Sequence, residues 1–242
     1  MPFHFLNTGR EEVKNPLHYF LLIDISNRII DSFNMPNSFF SVRTLSNLLA
    51  QVLFFLNVAL VFVIVLLIVS SNKFGQITFL NTTFSLLEIG KKAGTLAAFA
   101  FCATIIPGIL RRFRVTGLLK SIQIILTPIR PHFGVLMVIL ALAHYLFVKI
   151  LPTFRLPLPF TLATFEIFGV LAFFLAFPLA LTSNIQSKKL LGKNWQRLHL
   201  LVYIILWLIF IHVALLSRSV PLSVVLLVTG AFQIGSLFLK KR

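Results

Sequence analysis

The chain has 242 residues, of which 58% are hydrophobic and 12% charged, and its mean hydropathy is +0.96. A soluble domain with a solvated surface cannot carry that composition, so the sequence indicates an integral membrane protein. The formal net charge of +16 could indicate nucleic-acid binding, but the Lys and Arg residues lie in loops between apolar runs and do not form one basic face. We therefore expect membrane lipid, and no nucleic acid, among the partners.

The first 47 residues are of mixed polarity and precede the first apolar run. Within LHYFLLIDISNRIIDSF, residues 17–33, apolar side chains recur at near-helical spacing opposite polar ones, which is typical of a helix lying on the membrane surface. A partly ordered tail with no role beyond topology explains the segment equally well. The first apolar run begins too deep in the chain for an ordinary signal peptide, so we expect it to be a retained helix.

Six apolar runs are long enough to cross a bilayer, which takes about 17–25 helical residues. They lie at roughly 48–70, 93–110, 133–151, 158–181, 199–216 and 220–239. The expected fold class is all-α: residues 48–242 form a six-helix transmembrane bundle, and residues 1–47 form a cytoplasmic or interfacial segment before it. Pro128 and Pro131 are expected to mark the start of the third helix.

The Lys and Arg residues predict the orientation of this bundle. Sixteen of the 22 lie in the N-terminal segment, the second and fourth loops and the C-terminal tail, against six in the opposite loops. Because basic loops stay in the cytoplasm, both termini are expected there and the protein in the cell inner membrane. The single cysteine, Cys102, excludes an internal disulfide and a paired-cysteine redox site, so electron transfer would need a cofactor.

Three of the six histidines, His144, His199 and His212, lie in or at the edge of apolar runs. An imidazole in hydrocarbon is costly unless it is bonded, so such a histidine indicates a functional site. In the predicted topology His144 and His212 share the outer half of the membrane and form the best pair of axial ligands for a haem iron. Two neutral imidazoles would give a six-coordinate electron-transfer haem. The alternative for each is a core histidine that only satisfies its hydrogen bonds.

His199 is predicted near the inner face of the membrane. The helix between it and His212 rises by about 20 Å, so one iron cannot bind both. His132 is the only other histidine at that depth, and it serves equally well as a solvated interfacial residue. An inner haem held by His199 and His132 is therefore the weaker prediction.

Charged side chains lie close to these predicted sites. Arg130 and Arg197, together with Lys189 and Lys193, lie at the cytoplasmic edge, where they could pair with haem propionates or a flavin phosphate, although topology alone also explains them. Glu166 is the one carboxylate well inside an apolar run. One interpretation is functional: Glu166 relays a proton or contacts a quinone. The other, which is favoured, is that its side chain reaches the membrane–water interface.

The segments around these histidines resemble a known family. LGKNWQRLHLLVY, residues 191–203, followed by a second histidine, resembles the ferric reductase-like transmembrane family, and within it the haem-binding membrane subunits of periplasmic methionine-sulfoxide reductase systems. RPHFGVLMVILALAH, residues 130–144, resembles the family's basic residue, glycine and ligand histidine. ATIIPGILRRF, residues 103–113, resembles the end of its preceding helix. The likeness extends over roughly residues 90–240.

The resemblance implies a b-type haem protein that passes electrons across the inner membrane, with His144, His199 and His212 at ligand positions. Members with four ligand histidines have the first near position 130, where this chain has Arg130, so one haem is implied and a second stays open. Larger relatives carry a flavin and nicotinamide domain after the last helix, whereas this sequence ends at LKKR. We therefore expect an electron-transfer subunit of an oxidoreductase with no NAD(P)H domain of its own.

The same resemblance implies the partners. Electrons are expected from a cytoplasmic flavin reductase or from the quinone pool, and the acceptor is expected to be a periplasmic reductase subunit or ferric ion. FMN is a further cofactor implied by the family, although no residue places it.

The main alternative function is a six-helix transporter or channel without haem, which predicts polar or broken helices in two matching halves. An intramembrane protease is disfavoured because the apolar runs contain no Ser/His pair, HExxH motif or paired aspartates.

Overall fold

The computed structural model describes residues 37–72, 75–79, 82–155, 161–216 and 220–239. By its internal contacts the chain divides into two compact units, Met1–Ser41 and Val42–Arg242. The predicted surface helix at residues 17–33 lies outside the described residues. The predicted boundary at residue 47 stays a prediction.

Helices make up nearly all of the described chain. They are α1 (Asn37–Ser70), α2 (Leu86–Arg112), α3 (Gly117–Tyr145), α4 (Leu151–Arg155), α5 (Thr164–Leu181), α6 (Ile185–Leu191), α7 (Lys193–His199), α8 (Leu201–Leu215) and α9 (Val220–Leu239). A π-helical turn, Leu146–Ile150, joins α3 to α4. Between α1 and α2 the antiparallel strands β1 (Gln76–Phe79) and β2 (Thr82–Ser85) form a hairpin, with Gln76 opposite Ser85.

Five of the described helical segments are long and apolar enough to cross a membrane. They are Thr44–Ser70, Leu86–Arg112, Gly117–Thr153, Thr164–Leu181 and Lys193–Leu215, and a shorter apolar helix, Val220–Ser236, follows them. The predicted all-α membrane bundle is therefore confirmed. The sixth predicted span stays a prediction, because the last apolar helix, Val220–Ser236, is shorter than the other five.

Two helices begin earlier than the sequence predicted. The helix α1 begins at Asn37 rather than near residue 48. The helix α3 begins at Gly117 and continues through Pro128 and Pro131, so the expected start at these prolines is wrong. Each proline removes only one backbone donor, and in an apolar bundle the helix still satisfies the other backbone groups better than an irregular segment would.

Two pairs of helices form the body of the bundle. The helix α2 packs along α3, α5 packs along α8, and α9 contacts both α2 and α8. The approach of α2 to the π-helical turn is close, because a Cβ added to Gly90 would lie 2.8 Å from the Cβ of Phe147. Phe147 is only 1% exposed. Small residues allow such contacts, which is how helices associate in lipid without a hydrophobic driving force between them.

The two ends of the bundle differ in charge. We call the end with β1, β2 and the starts of α2 and α5 the hairpin end, and the end where α2 finishes the arginine end. The only carboxylates among the described residues, Glu88 and Glu166, both lie at the hairpin end, and each is paired with a lysine. The excess of positive charge therefore lies at the arginine end, which is the cytoplasmic end in the predicted orientation.

At the arginine end, Arg112 joins three helices. Its guanidinium donates to the Ser236 Oγ of α9 at 3.2 Å and to the Tyr203 hydroxyl of α8. It also lies 5.7 Å from the centroid of the Tyr203 ring. Ser236 is fully buried, so the last residue of α2 fixes the start of α8 and the end of α9.

Arg112→Ala should lower the free energy of unfolding in detergent by about 1–3 kcal/mol, because it removes two hydrogen bonds from a charged donor. Arg111→Ala is the matched control, since the Arg111 side chain is exposed and has no hydrogen bond to the rest of the described chain. Thermal unfolding of both variants measures the difference. Equal Tm values for the two variants would contradict the role given to Arg112.

Candidate functional site

His144, at the end of α3, and His212, in α8, lie side by side in the bundle. Their ring centroids are 6.4 Å apart and their planes meet at 78°. The structure thus brings together the two histidines that the sequence predicted as a pair. They meet because α3 contacts α5, which in turn packs along α8.

One backbone carbonyl holds each ring. The Nδ1 of His144 lies 2.9 Å from the carbonyl oxygen of Gly90 in α2, and the Nδ1 of His212 lies 2.7 Å from that of Phe165 in α5. A carbonyl only accepts, so each Nδ1 carries the proton and donates it. In a neutral imidazole the other nitrogen, Nε2, then keeps a free lone pair, which is the state in which histidine binds a metal.

A glycine one helical turn after each carbonyl leaves room for the ring. A Cβ added to Gly94 would lie 2.7 Å from the Nδ1 of His144, and one added to Gly169 would lie 2.8 Å from the Nδ1 of His212. Real Cβ atoms essentially never approach closer than 3.0 Å, so glycine alone fits without a shift. We call each carbonyl with its glycine a histidine seat: the His144 seat is Gly90 and Gly94, and the His212 seat is Phe165 and Gly169.

The chain changes helix type directly after His144. The π-helical turn Leu146–Ile150 is a rare conformation that occurs often at functional sites. It carries Lys149, whose Nζ lies 3.0 and 2.8 Å from the two carboxylate oxygens of Glu166 in α5. The segment after His144 is therefore fastened to the helix that carries the His212 seat.

Glu166 also fixes the first turn of α5. One of its carboxylate oxygens accepts from the backbone N–H of Ala163 at 2.8 Å. The Lys149 and Glu166 side chains are only 20% and 19% exposed. The interfacial position that the sequence favoured for Glu166 stays a prediction. The structure shows its side chain partly buried and paired, next to the residue whose carbonyl accepts from His212.

The separation of the two rings is compatible with both histidines binding one haem iron. Two metal–nitrogen bonds of about 2 Å each place the imidazole centres roughly 6 Å apart, close to the observed 6.4 Å. Neither Nε2 has a hydrogen-bond partner in the described part of the chain. No group of three or more His, Cys, Asp or Glu side chains gathers among these residues to hold a metal alone. In a haem, the porphyrin supplies the other ligands of an iron that is held by axial side chains.

His199 lies at the other end of α8, where α7 finishes. Its Nε2 is buried and has no hydrogen-bond partner within the described ranges. Its ring centroid lies 4.0 Å from that of Trp195, whose Nε1 donates to the carbonyl of Thr182 at 2.9 Å. This nitrogen is therefore available to bind a metal. The predicted partner for an inner haem is His132, and among the described residues no ring contact joins it to His199.

His132 lies instead beside a cavity of about 300 Å³ between α1 and α3. Its backbone carbonyl accepts from the Asn57 Nδ2 at 3.2 Å. Asn57 is 6% exposed, and its Oδ1 has no partner among the described residues. This cavity was not predicted from the sequence, in which its one signal is a single amide, Asn57, inside the first apolar run. The lining residues are Phe54, Asn57, Val58, Val61, Pro131, His132, Val135, Ile139 and Ser183.

Arg130 and Arg197 both lie at the arginine end. Arg130 is within electrostatic range of His199 and of Tyr203. Arg197 is exposed on α7. Their predicted contacts with haem propionates or a flavin phosphate stay predictions, and no described residue places FMN.

Comparison with known proteins gives a partial match. A stretch of 75 residues, 31% of this chain, is 33% identical to the protein-methionine-sulfoxide reductase haem-binding subunit MsrQ of Yersinia enterocolitica serotype O:8. The match spans 38% of that relative's length. No family model matches the chain, and no solved structure matches it.

Replacing Glu166 separates its two contacts. Glu166→Gln removes the ion pair but can still accept from the Ala163 N–H, and should cost about 1–3 kcal/mol because Lys149 is left partly buried and unpaired. Glu166→Ala should cost about 1 kcal/mol more, because it also removes the contact at the start of α5.

Glu88→Gln is the control, since the Glu88–Lys91 pair is exposed and such pairs contribute little. Thermal unfolding in detergent gives the order of stability. A Tm for Glu166→Gln as high as that of Glu88→Gln would contradict a structural role for the Lys149–Glu166 pair.

Proposed function

We propose that this protein is a b-type haem membrane protein that passes electrons across the inner membrane as a subunit of an oxidoreductase. The observation that carries the proposal is the His144–His212 pair, in which two imidazoles at haem-ligand separation each donate Nδ1–H to a backbone carbonyl. The partial likeness to a haem-binding subunit supports the same assignment. A transporter would leave both histidine seats without a purpose.

A bound haem would supply one-electron redox chemistry at its iron. The residues of this chain determine how that chemistry is used. His144 and His212 would both hold the iron through Nε2, which would make the haem an electron carrier rather than a site that binds substrate. The carbonyls of Gly90 and Phe165 keep the proton on each Nδ1, fix the ring orientation and raise the basicity of each Nε2, which favours the oxidised state.

The position of the pair favours an acceptor on the hairpin side. The carbonyls of Gly90 and Phe165 belong to the first turns of α2 and α5, so the pair lies near the hairpin end. In the predicted orientation that end faces the periplasm. We therefore propose a periplasmic reductase subunit or ferric ion as the acceptor.

On the donor side we favour a quinol over a soluble flavin reductase. The cavity beside His132 lies between α1 and α3, it is mostly apolar, and its buried Asn57 Oδ1 lacks a hydrogen-bond donor. A quinol hydroxyl supplies such a donor. Ile139, which lines the cavity, is five residues before His144, so the cavity reaches within about 8 Å of the ligand's level along α3.

Spectra test the proposed function directly. Purified wild type should show a low-spin b-type spectrum in the oxidised and dithionite-reduced states. His144→Ala and His212→Ala should each lose the haem or convert it to a high-spin form, because one axial ligand is gone. The number of haems per chain is measured for wild type and for His199→Ala. A lower number in the variant would indicate an inner haem held by His199. A colourless wild type after haem supplementation would overturn the proposal and favour a transporter.

The donor site is tested by Asn57→Leu. Loss of the amide oxygen should weaken the binding of a short-chain quinol by about fivefold, because one hydrogen bond contributes about 1 kcal/mol. Haem reduction by dithionite should be unchanged, and Ser183→Ala serves as the lining control. Equal rates of quinol-driven reduction in wild type and Asn57→Leu would exclude this cavity as the donor site.

A further inference from the structure

The histidine seats determine the orientation of each imidazole ring as well as the space around it. A Cβ added to Gly94 would lie closest to three ring atoms of His144: Nδ1 at 2.7 Å, and Cε1 and Cγ at 3.0 Å each. A Cβ beyond the edge of the ring would lie much farther from the two carbons than from the nitrogen. The near equality of the three distances therefore places the glycine against the face of the imidazole.

The second seat has the same geometry. A Cβ added to Gly169 would lie 2.8 Å from Nδ1, 2.9 Å from Cε1 and 3.3 Å from Cγ of His212. Each ring thus lies flat on a glycine while its Nδ1–H reaches the carbonyl one turn earlier in the same helix. Each imidazole therefore contacts one helix twice, through its face and through its Nδ1. Because a histidine side chain has only two rotatable bonds, these two contacts fix the plane of the ring.

We propose that Gly94 and Gly169 are positioning residues that set the imidazole planes of His144 and His212 nearly perpendicular. The plane angle is 78°. This inference rests on the proposed function for its spectroscopic consequence, but not for its effect on packing.

The angle has a measurable effect on a bound iron. Each imidazole interacts most strongly with the iron d orbital that extends out of the imidazole plane. Two perpendicular imidazoles act on two different orbitals and keep their energies nearly equal, which gives a highly anisotropic low-spin EPR signal. Parallel imidazoles separate the two energies and give an ordinary rhombic signal. Axial ligands and the groups that orient them are the means by which a protein tunes a haem.

The EPR test compares three substitutions in one background. Wild type should give a highly anisotropic low-spin signal. Gly94→Ala and Gly169→Ala should each replace it with a rhombic or high-spin signal, because the new Cβ tilts the ring or displaces it from its carbonyl. Gly108→Ala is the control in the same helix as Gly94, since a Cβ there meets nothing within 4 Å. A wild-type signal that survives both seat substitutions would overturn the inference while leaving the haem assignment intact.

A second measurement needs no haem. In the full chain prepared without haem, Gly94→Ala should lower the Tm when His144 is present. In the His144→Ala background it should leave the Tm unchanged or raise it, because the clash is gone and alanine is the better helix former. Gly169→Ala should behave in the same way with His212→Ala. The same loss of Tm in both backgrounds would show that the glycines serve general packing, and would overturn the positioning role even if the protein never binds haem.

Discussion

An imidazole inside an apolar bundle must donate its Nδ1 proton to some acceptor, and the carbonyls of the surrounding helices are the nearest ones. That hydrogen bond is the constraint on which the site depends, because an unsatisfied polar group in such surroundings costs several kcal/mol. At both sites, a Cβ on the residue one turn after the carbonyl would collide with the ring. Gly94 and Gly169 occupy these positions after Gly90 and Phe165, and neither has a Cβ. The same bond fixes the tautomer and leaves Nε2 for a ligand.

This hydrogen bond occurs in both of the helix pairs that form the bundle. In each pair of helices one carries a histidine and the other its seat: α3 with α2, and α8 with α5. Gly90 serves both purposes, because its carbonyl accepts from His144 and its missing Cβ admits Phe147. The Lys149–Glu166 ion pair then fastens the end of one pair to the start of the other. The same residues therefore determine how the helices associate and how the imidazole rings are oriented. A substitution that alters one is expected to alter the other.

The sequence predicted the parts of this arrangement that depend on hydropathy and depth. The membrane bundle and the meeting of His144 with His212 follow from the apolar runs and from the helical rise. The seats could not be predicted, because they depend on which helix packs beside each histidine, and a GxxxG pattern at Gly90 and Gly94 is a weak signal by itself. The start of α3 differs from the prediction because proline usually marks a helix boundary, whereas in an apolar environment this helix continues through Pro128 and Pro131.

In the proposed function, the location of the pair also determines how electrons would reach it. From Gly94 to Arg112 the helix α2 rises by about 27 Å, so a soluble donor at the arginine end is separated from the pair by most of the membrane. Electron transfer over that distance needs a carrier between them, and the Nε2 of His199 at that end is buried and has no hydrogen-bond partner among the described residues. His132 as its partner in holding an inner haem stays a prediction. A donor dissolved in the bilayer avoids this requirement, because the cavity beside Asn57 extends along α3 towards His144. One haem and a quinol thus form the simpler chain of electron transfer, and two haems are needed only if the donor is a cytoplasmic protein.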